Sequence, residues 1–117
     1  MANTESGNQI IRLDELKALY GEDSVRELLE LSLGEARTLI DQLEKGIPAK
    51  DARTVSADAH QLKGMAATMT IDRMAELSKK LEFAAKDDVW DDSPQLLADI
   101  SKCFQELQDY LKVAFPM

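Results

Sequence analysis

The sequence predicts an all-α fold, an antiparallel up-down-up-down four-helix bundle with a short additional N-terminal helix. Three observations favour this fold class. Apolar residues recur at steps of three and four residues, which is the spacing of one helix face. Clusters of β-branched residues, typical of strands, do not occur. The 117 residues are rich in helix-forming Leu, Ala, Glu and Lys and include only three prolines and five glycines.

The first two helices are predicted to be separated by a glycine. Asp14 is the predicted N-cap of a short helix that ends at Gly21. A longer second helix follows directly and ends at Gly46, which we expect to adopt a left-handed backbone conformation. Its apolar stripe consists of Val25, Leu28, Leu29, Ser32, Ala36, Leu39, Ile40 and Leu43.

Three further helices follow. Pro48 is predicted in the first turn of the third helix, and residues 68–72 allow only a tight connection to the fourth, so these two should pack as antiparallel neighbours. After an acidic loop at residues 87–92, Ser93 is the predicted cap of the last helix and Pro94 its first residue. The inward positions are Ala52, Val55, Ala59, Leu62, Ala66, Met69, Met74, Leu77, Ser78, Leu81, Ala85, Leu97, Ile100, Phe104, Leu107 and Leu111.

Composition limits the function. A formal net charge of −8 opposes binding to nucleic acid and to anionic membranes, so we expect a protein partner. Residues 1–9 are predicted to be a flexible N-terminus and residues 10–117 a single domain, monomeric and cytoplasmic, since neither a secretory signal nor a membrane-spanning run is recognisable. Cys103 is the only cysteine, and its place near an apolar stripe predicts a small core residue.

A solvent-facing histidine is the main candidate for chemistry. His60 lies about 140° from the centre of the third helix's apolar stripe, which predicts that it is exposed. Ala57, Gly64 and Ala67 share its face, so the surface around the imidazole should be flat. Glycine inside an exposed helix costs about 1 kcal/mol relative to alanine, and close approach by another molecule is one reason to keep it.

Charged residues are predicted beside this histidine. Lys63 lies one turn along the helix, where its ammonium can approach an anion held on the imidazole. The chain reverses direction near residue 71, so residues at equal separations before and after that point should lie side by side on the two antiparallel helices. His60, eleven residues before it, should therefore lie level with Glu82, eleven residues after it. Glu82 would accept a hydrogen bond from Nδ1 and leave the Nε2 lone pair free. Lys86 would lie at the rim.

The segment Ala59-His60-Gln61-Leu62-Lys63-Gly64, followed by Ala66-Ala67, resembles the signature of histidine phosphotransfer (HPt) domains. Together with Leu81-Glu82 on the next helix, the resemblance covers most of the chain. It implies a phosphorelay in which a histidine accepts a phosphoryl group from one receiver domain's aspartate, downstream of a hybrid sensor kinase, and passes it to another receiver.

By that resemblance His60 is the phosphorylated nucleophile, Lys63 the cation near the phosphoryl oxygens, Gly64 the small residue that admits the receiver, and Glu82 the residue that orients the imidazole. Two positions depart from the family pattern. Thr70 stands where the family commonly has a glycine, just after the helix that contains the signature. Met65, directly after Gly64, stands where the family often has a small or hydroxylated residue. The predicted partner-binding residues are Ala57, Gln61, Gly64, Met65, Ala67, Lys86 and Leu31, the last lying about 120° off its helix's apolar stripe.

No cofactor is expected on this chain, and Mg²⁺ is expected on the partner receiver. The sequence contains no glycine-rich phosphate loop, so autokinase activity is not expected. One histidine and one cysteine far apart in sequence also disfavour a metal site. Two alternatives remain open: a non-catalytic bundle that docks receiver domains, and a phosphoacceptor module excised from a hybrid or chemotaxis-type kinase.

Overall fold

The computed structural model describes residues 10–115, which form helices and turns and contain no strand. Helix α1 spans Leu13–Tyr20, α2 Glu22–Gly46, α3 Ala52–Thr68, α4 Asp72–Lys86 and α5 Ser93–Ala114. The most extensive packing joins α3 to α4; α2 packs on α3, α5 packs on α4, and both α1 and α5 contact α2. The all-helical class is therefore confirmed over the described residues. The predicted flexible segment, residues 1–9, lies outside them.

The core follows the predicted stripes closely. Most inward positions predicted for α2 to α5 are buried, including the hydroxyl-bearing Ser78, and Cys103 is a buried core residue as predicted. The exceptions are half-buried: Leu28, Ser32, Ala52 and Leu97. None of the helices in residues 10–115 is both long and apolar enough to cross a membrane.

The ends of α1 and α5 differ from the prediction by one or two residues. Asp14 is not a cap: α1 begins at Leu13 after Arg12, whose backbone N–H donates to Thr70 Oγ1 at 2.9 Å. Asp14 instead lies in the first turn, where its charge complements the helix dipole. Ser93 is not a cap either, because Asp92 precedes the helix and the buried Ser93 is its first residue.

Two predictions at the α2–α3 connection were wrong. Gly46 is not left-handed; it is the last residue of α2, followed by Ile47 in helical conformation. A Cβ on Gly46 would lie 2.8 Å from Val55 Cγ2, so close packing of α2 on α3 accounts for the glycine. Pro48 does not begin α3 but lies in a turn, and α3 is capped by Asp51, whose side chain accepts from the Thr54 N–H at 3.2 Å.

The α3–α4 connection is as tight as predicted. It closes over three residues, and the Ile71 N–H donates to the Ala66 carbonyl at 2.8 Å. Thr70 adopts a φ of 61°, a left-handed conformation that is unfavourable for a β-branched residue. Its hydroxyl accepts the hydrogen bond from Arg12, so a contact with the chain before α1 supports the turn that a glycine would otherwise make.

Candidate functional site

The site centres on His60, which projects from the middle of α3. Its side chain is 64% exposed, as the helical periodicity predicts. His60 Nδ1 lies 2.9 Å from Glu82 Oε2 on α4. The prediction that His60 on α3 lies level with Glu82 on α4 is therefore confirmed.

Glu82 is buried beneath this histidine and receives two further hydrogen bonds. Its side chain is only 3% exposed. Lys63 Nζ donates to Oε1 and Lys86 Nζ donates to Oε2, each at 2.9 Å. Glu82 is thus the common partner of one imidazole and two ammonium groups, and it pairs with these lysines rather than with Lys79 of its own helix.

These contacts decide the ionisation of Glu82. Burial raises its pKa, but the hydrogen bonds from Lys63, Lys86 and His60 outweigh burial and lower the pKa from 4.5 to about 2. The carboxylate is therefore charged at neutral pH and can only accept hydrogen bonds. It follows that the proton shared with His60 belongs to Nδ1, and that a ring carrying only this proton has a lone pair on Nε2.

Gly64, one turn after His60 on α3, has no side chain to project from the helix surface beside the imidazole. A Cβ built on Gly64 would meet no atom within 4 Å, so internal packing does not require glycine there. Gly64 is exposed inside α3, where alanine would be more favourable by about 1 kcal/mol. Ala57, Gln61 and Ala67 are also exposed on this helix, as predicted.

The sequence matches the Hpt domain family over residues 27–111, a span that contains His60, Glu82 and the two lysines that donate to Glu82. The chain belongs to the Hpt domain family. Its fold is similar to the crystal structure of histidine-containing phosphotransfer protein B (HptB) from Pseudomonas aeruginosa PAO1. The TM-score is 0.80 at 22% identity, covering 87% of this chain and 88% of that chain. Among curated proteins, none matches the sequence significantly.

Family membership gives this Hpt domain its role: it is a histidine phosphotransfer protein of a phosphorelay, and its family consists of phosphocarriers. Hpt proteins interact with receiver domains and with kinases in such relays.

The predicted docking residues of the Hpt domain occupy two kinds of environment. Leu31 on α2 is 73% exposed, and Lys86 is largely exposed despite its bond to Glu82. Met65 is half-buried and packs against the core, so only part of its side chain is available to a partner.

Sequence reasoning missed two residues near the histidine. Asp58, two residues before His60, is buried against α2, where the amide of Gln42, turned so that its nitrogen faces the carboxylate, donates to both Asp58 oxygens. Burial, together with the charge of Asp51, raises the pKa of Asp58. Phe83 is 50% exposed next to Glu82. A large aromatic residue on the face of α4 opposite its apolar stripe was the signal that could have identified it.

Proposed function

We propose that His60 is the phosphorylated residue of this Hpt domain, accepting a phosphoryl group from the aspartate of one receiver domain and passing it to the aspartate of another. His60 is the only histidine in the chain. The observation that carries the proposal is the bond from Nδ1 to a buried, ionised carboxylate, because it fixes the ring and leaves Nε2 with a lone pair at an exposed position.

The chemistry requires no group beyond these side chains and the receiver. The Nε2 lone pair forms the N–P bond while the P–O bond to aspartate breaks, and the electrons of that bond return to the aspartate carboxylate. The Nδ1 proton stays in place, so the ring becomes positively charged. Glu82, 2.9 Å away, stabilises that charge, and Lys63 and Lys86 offer ammonium groups to the phosphoryl oxygens.

On this proposal the chain carries no cofactor and has no autokinase activity. The receiver contributes Mg²⁺ and the acidic pocket that holds the aspartate. A hybrid sensor kinase supplies the phosphoryl group at the start of the relay.

The receiver is proposed to dock on the exposed face of α3 around Gly64. The open space above Gly64 supports this, since it lets a partner approach the helix backbone closely. The other proposed contacts are Ala57, Gln61, Met65, Ala67, Lys86 and Leu31. Replacing the exposed Leu31 with Asp should slow transfer without lowering the free energy of unfolding, and an unchanged transfer rate would remove it from the interface.

We also propose that α2 to α5 form a monomeric four-helix bundle in up-down-up-down order, with α1 against one end. The contacts between consecutive helices and between α2 and α5 support a closed ring of four. The three-residue α3–α4 connection supports antiparallel packing of that pair.

The test is a transfer assay with wild-type protein and His60→Gln against a panel of phosphorylated receiver domains. Intact mass and acid lability identify the adduct. We expect one acid-labile phosphoryl group on wild type and none on His60→Gln, with the same helicity in both. Persistent labelling of His60→Gln would contradict the proposal. Receiver binding without any labelling of wild type would favour a non-catalytic docking protein instead.

A further inference from the structure

A positively charged groove runs between α3 and α4, next to the phosphotransfer site. Lys63 and Ala67 line it from α3, and Ala75, Lys79, Lys80 and Phe83 line it from α4. Within residues 77–86 there are three lysines and one acidic residue, although the whole chain carries a net charge of −8. Positive charge is therefore concentrated on this stretch of α4, which ends directly before Asp87 and Asp88.

The acidic residues of this region do not cancel that charge. Glu82 is buried and shared among its three donors. Asp72 and Glu76 also line the groove, but Asp72 is paired with Arg12. Glu76 is exposed one turn before Lys79 and Lys80. The lysines thus outnumber the free carboxylates around the groove.

Phe83 is an exposed aromatic side chain that lies between lysines of α4. The ammonium groups of Lys79 and Lys86 each lie 6.0 Å from the centre of its ring. Lys86 also donates to Glu82, the carboxylate that holds His60, so one ammonium group links the phenyl ring to the phosphotransfer site.

We propose, on the basis of the function argued above, that Phe83 flanked by Lys79 and Lys86 is a second contact point for the receiver domain, one that binds the acidic surface around its phosphorylated aspartate. Charge complementarity selects this partner: the groove is cationic on an otherwise anionic protein. Aromatic residues, phenylalanine included, are enriched at protein–protein interfaces relative to the rest of the surface. The lysines act mainly on the rate of encounter, and Phe83 acts on the lifetime of the complex.

The experiment measures kcat/KM for transfer from a phosphorylated receiver domain to the Hpt domain, at about 0.05 M and about 0.5 M salt. The variants are Lys79→Glu and Phe83→Ser. Two substitutions at exposed positions on α5 are the matched controls. Lys102→Glu reverses a charge as Lys79→Glu does, and Val113→Ser replaces an exposed apolar side chain with serine as Phe83→Ser does. Thermal unfolding of each variant verifies that the fold is retained.

We expect Lys79→Glu to lower kcat/KM about tenfold at low salt and by less than about threefold at high salt, since screening weakens the attraction. Phe83→Ser should lower it about tenfold at both salt concentrations. The α5 variants should match wild type.

If wild type is labelled but Lys79→Glu and Phe83→Ser behave like their α5 controls, the second contact point does not exist and the role of His60 is unaffected. If no receiver labels wild type, the proposed function fails, and this inference fails with it.

Discussion

Replacing Glu82 with Gln is the sharpest test of how the site is held together. The substitution keeps the size of the side chain and one oxygen that can accept from His60 Nδ1, but it removes the negative charge. In the native protein that charge is buried and shared by an imidazole and two ammonium groups. The variant therefore separates the orientation of the histidine from the electrostatics beneath it.

The magnitude follows from the pKa of Glu82. A decrease from 4.5 to about 2 on folding corresponds to about 3 kcal/mol of stability at neutral pH. His60 and Lys86 are more than half exposed, so solvent screens their part, and we expect Glu82→Gln to lose about 1–2 kcal/mol. Because the folded pKa is depressed, this stability is present above pH 4.5 and is lost as the pH falls toward 2.

Urea unfolding followed by circular dichroism at a series of pH values measures this effect. Wild type should exceed Glu82→Gln by about 1–2 kcal/mol at pH 7, or roughly 5–15 °C in Tm. The difference should shrink between pH 4.5 and 2, where Glu82 becomes protonated. Glu76→Gln, at an exposed position on the same helix, is the control for removing a carboxylate. Equal stability of the two variants at every pH would refute the reasoning.

The same variant has a predicted effect on transfer. Gln still accepts from Nδ1 and keeps the ring oriented, but it cannot balance the positive charge that the ring acquires when Nε2 is phosphorylated. We expect transfer to His60 to slow about tenfold, which corresponds to about 1.4 kcal/mol of lost transition-state stabilisation.

Two glycine-to-alanine substitutions should change the free energy of unfolding in opposite directions. Gly64→Ala should raise the free energy of unfolding by about 1 kcal/mol, because the added Cβ meets nothing within 4 Å. The same substitution should slow phosphotransfer. Transfer at the wild-type rate would exclude close approach of the receiver to α3 at this position. Gly46→Ala should lower the free energy of unfolding by about 1–3 kcal/mol in urea denaturation, because its Cβ would lie 2.8 Å from Val55 Cγ2. An unchanged denaturation midpoint would show that Val55 moves aside without cost.

Much of the site could be predicted because it depends on regular geometry. Each helical residue advances about 1.5 Å, so eleven residues on either side of a tight connection travel the same distance along two antiparallel helices. The prediction that His60 meets Glu82 needs only two uninterrupted helices and a short turn, and α3 and α4 supply both. The exposure of His60 likewise follows from the position of the apolar stripe alone.

The helix ends were harder to predict because contacts distant in sequence determine them. Asp14 has a side chain suited to capping, but Arg12 is held by Thr70, 58 residues away, and α1 begins one residue before Asp14. Gly46 has the composition of a left-handed terminus, but its role is set by Val55 on the next helix. Local preference is about 1 kcal/mol per position, so one such contact is enough to override it.

The positions of Lys63 and Lys86 could not be predicted in detail, because a lysine can serve any anion within reach. Without a phosphoryl group, both ammonium groups bind Glu82 and keep a buried carboxylate ionised. A phosphoryl group on Nε2 of His60 would bring a second anion to the same two lysines, and the charge on Glu82 would then be balanced by the phosphorylated ring as well. Neither state leaves an isolated buried charge. A carrier that must release its phosphoryl group needs this balance, since strong stabilisation of the loaded state alone would hold the group on the histidine.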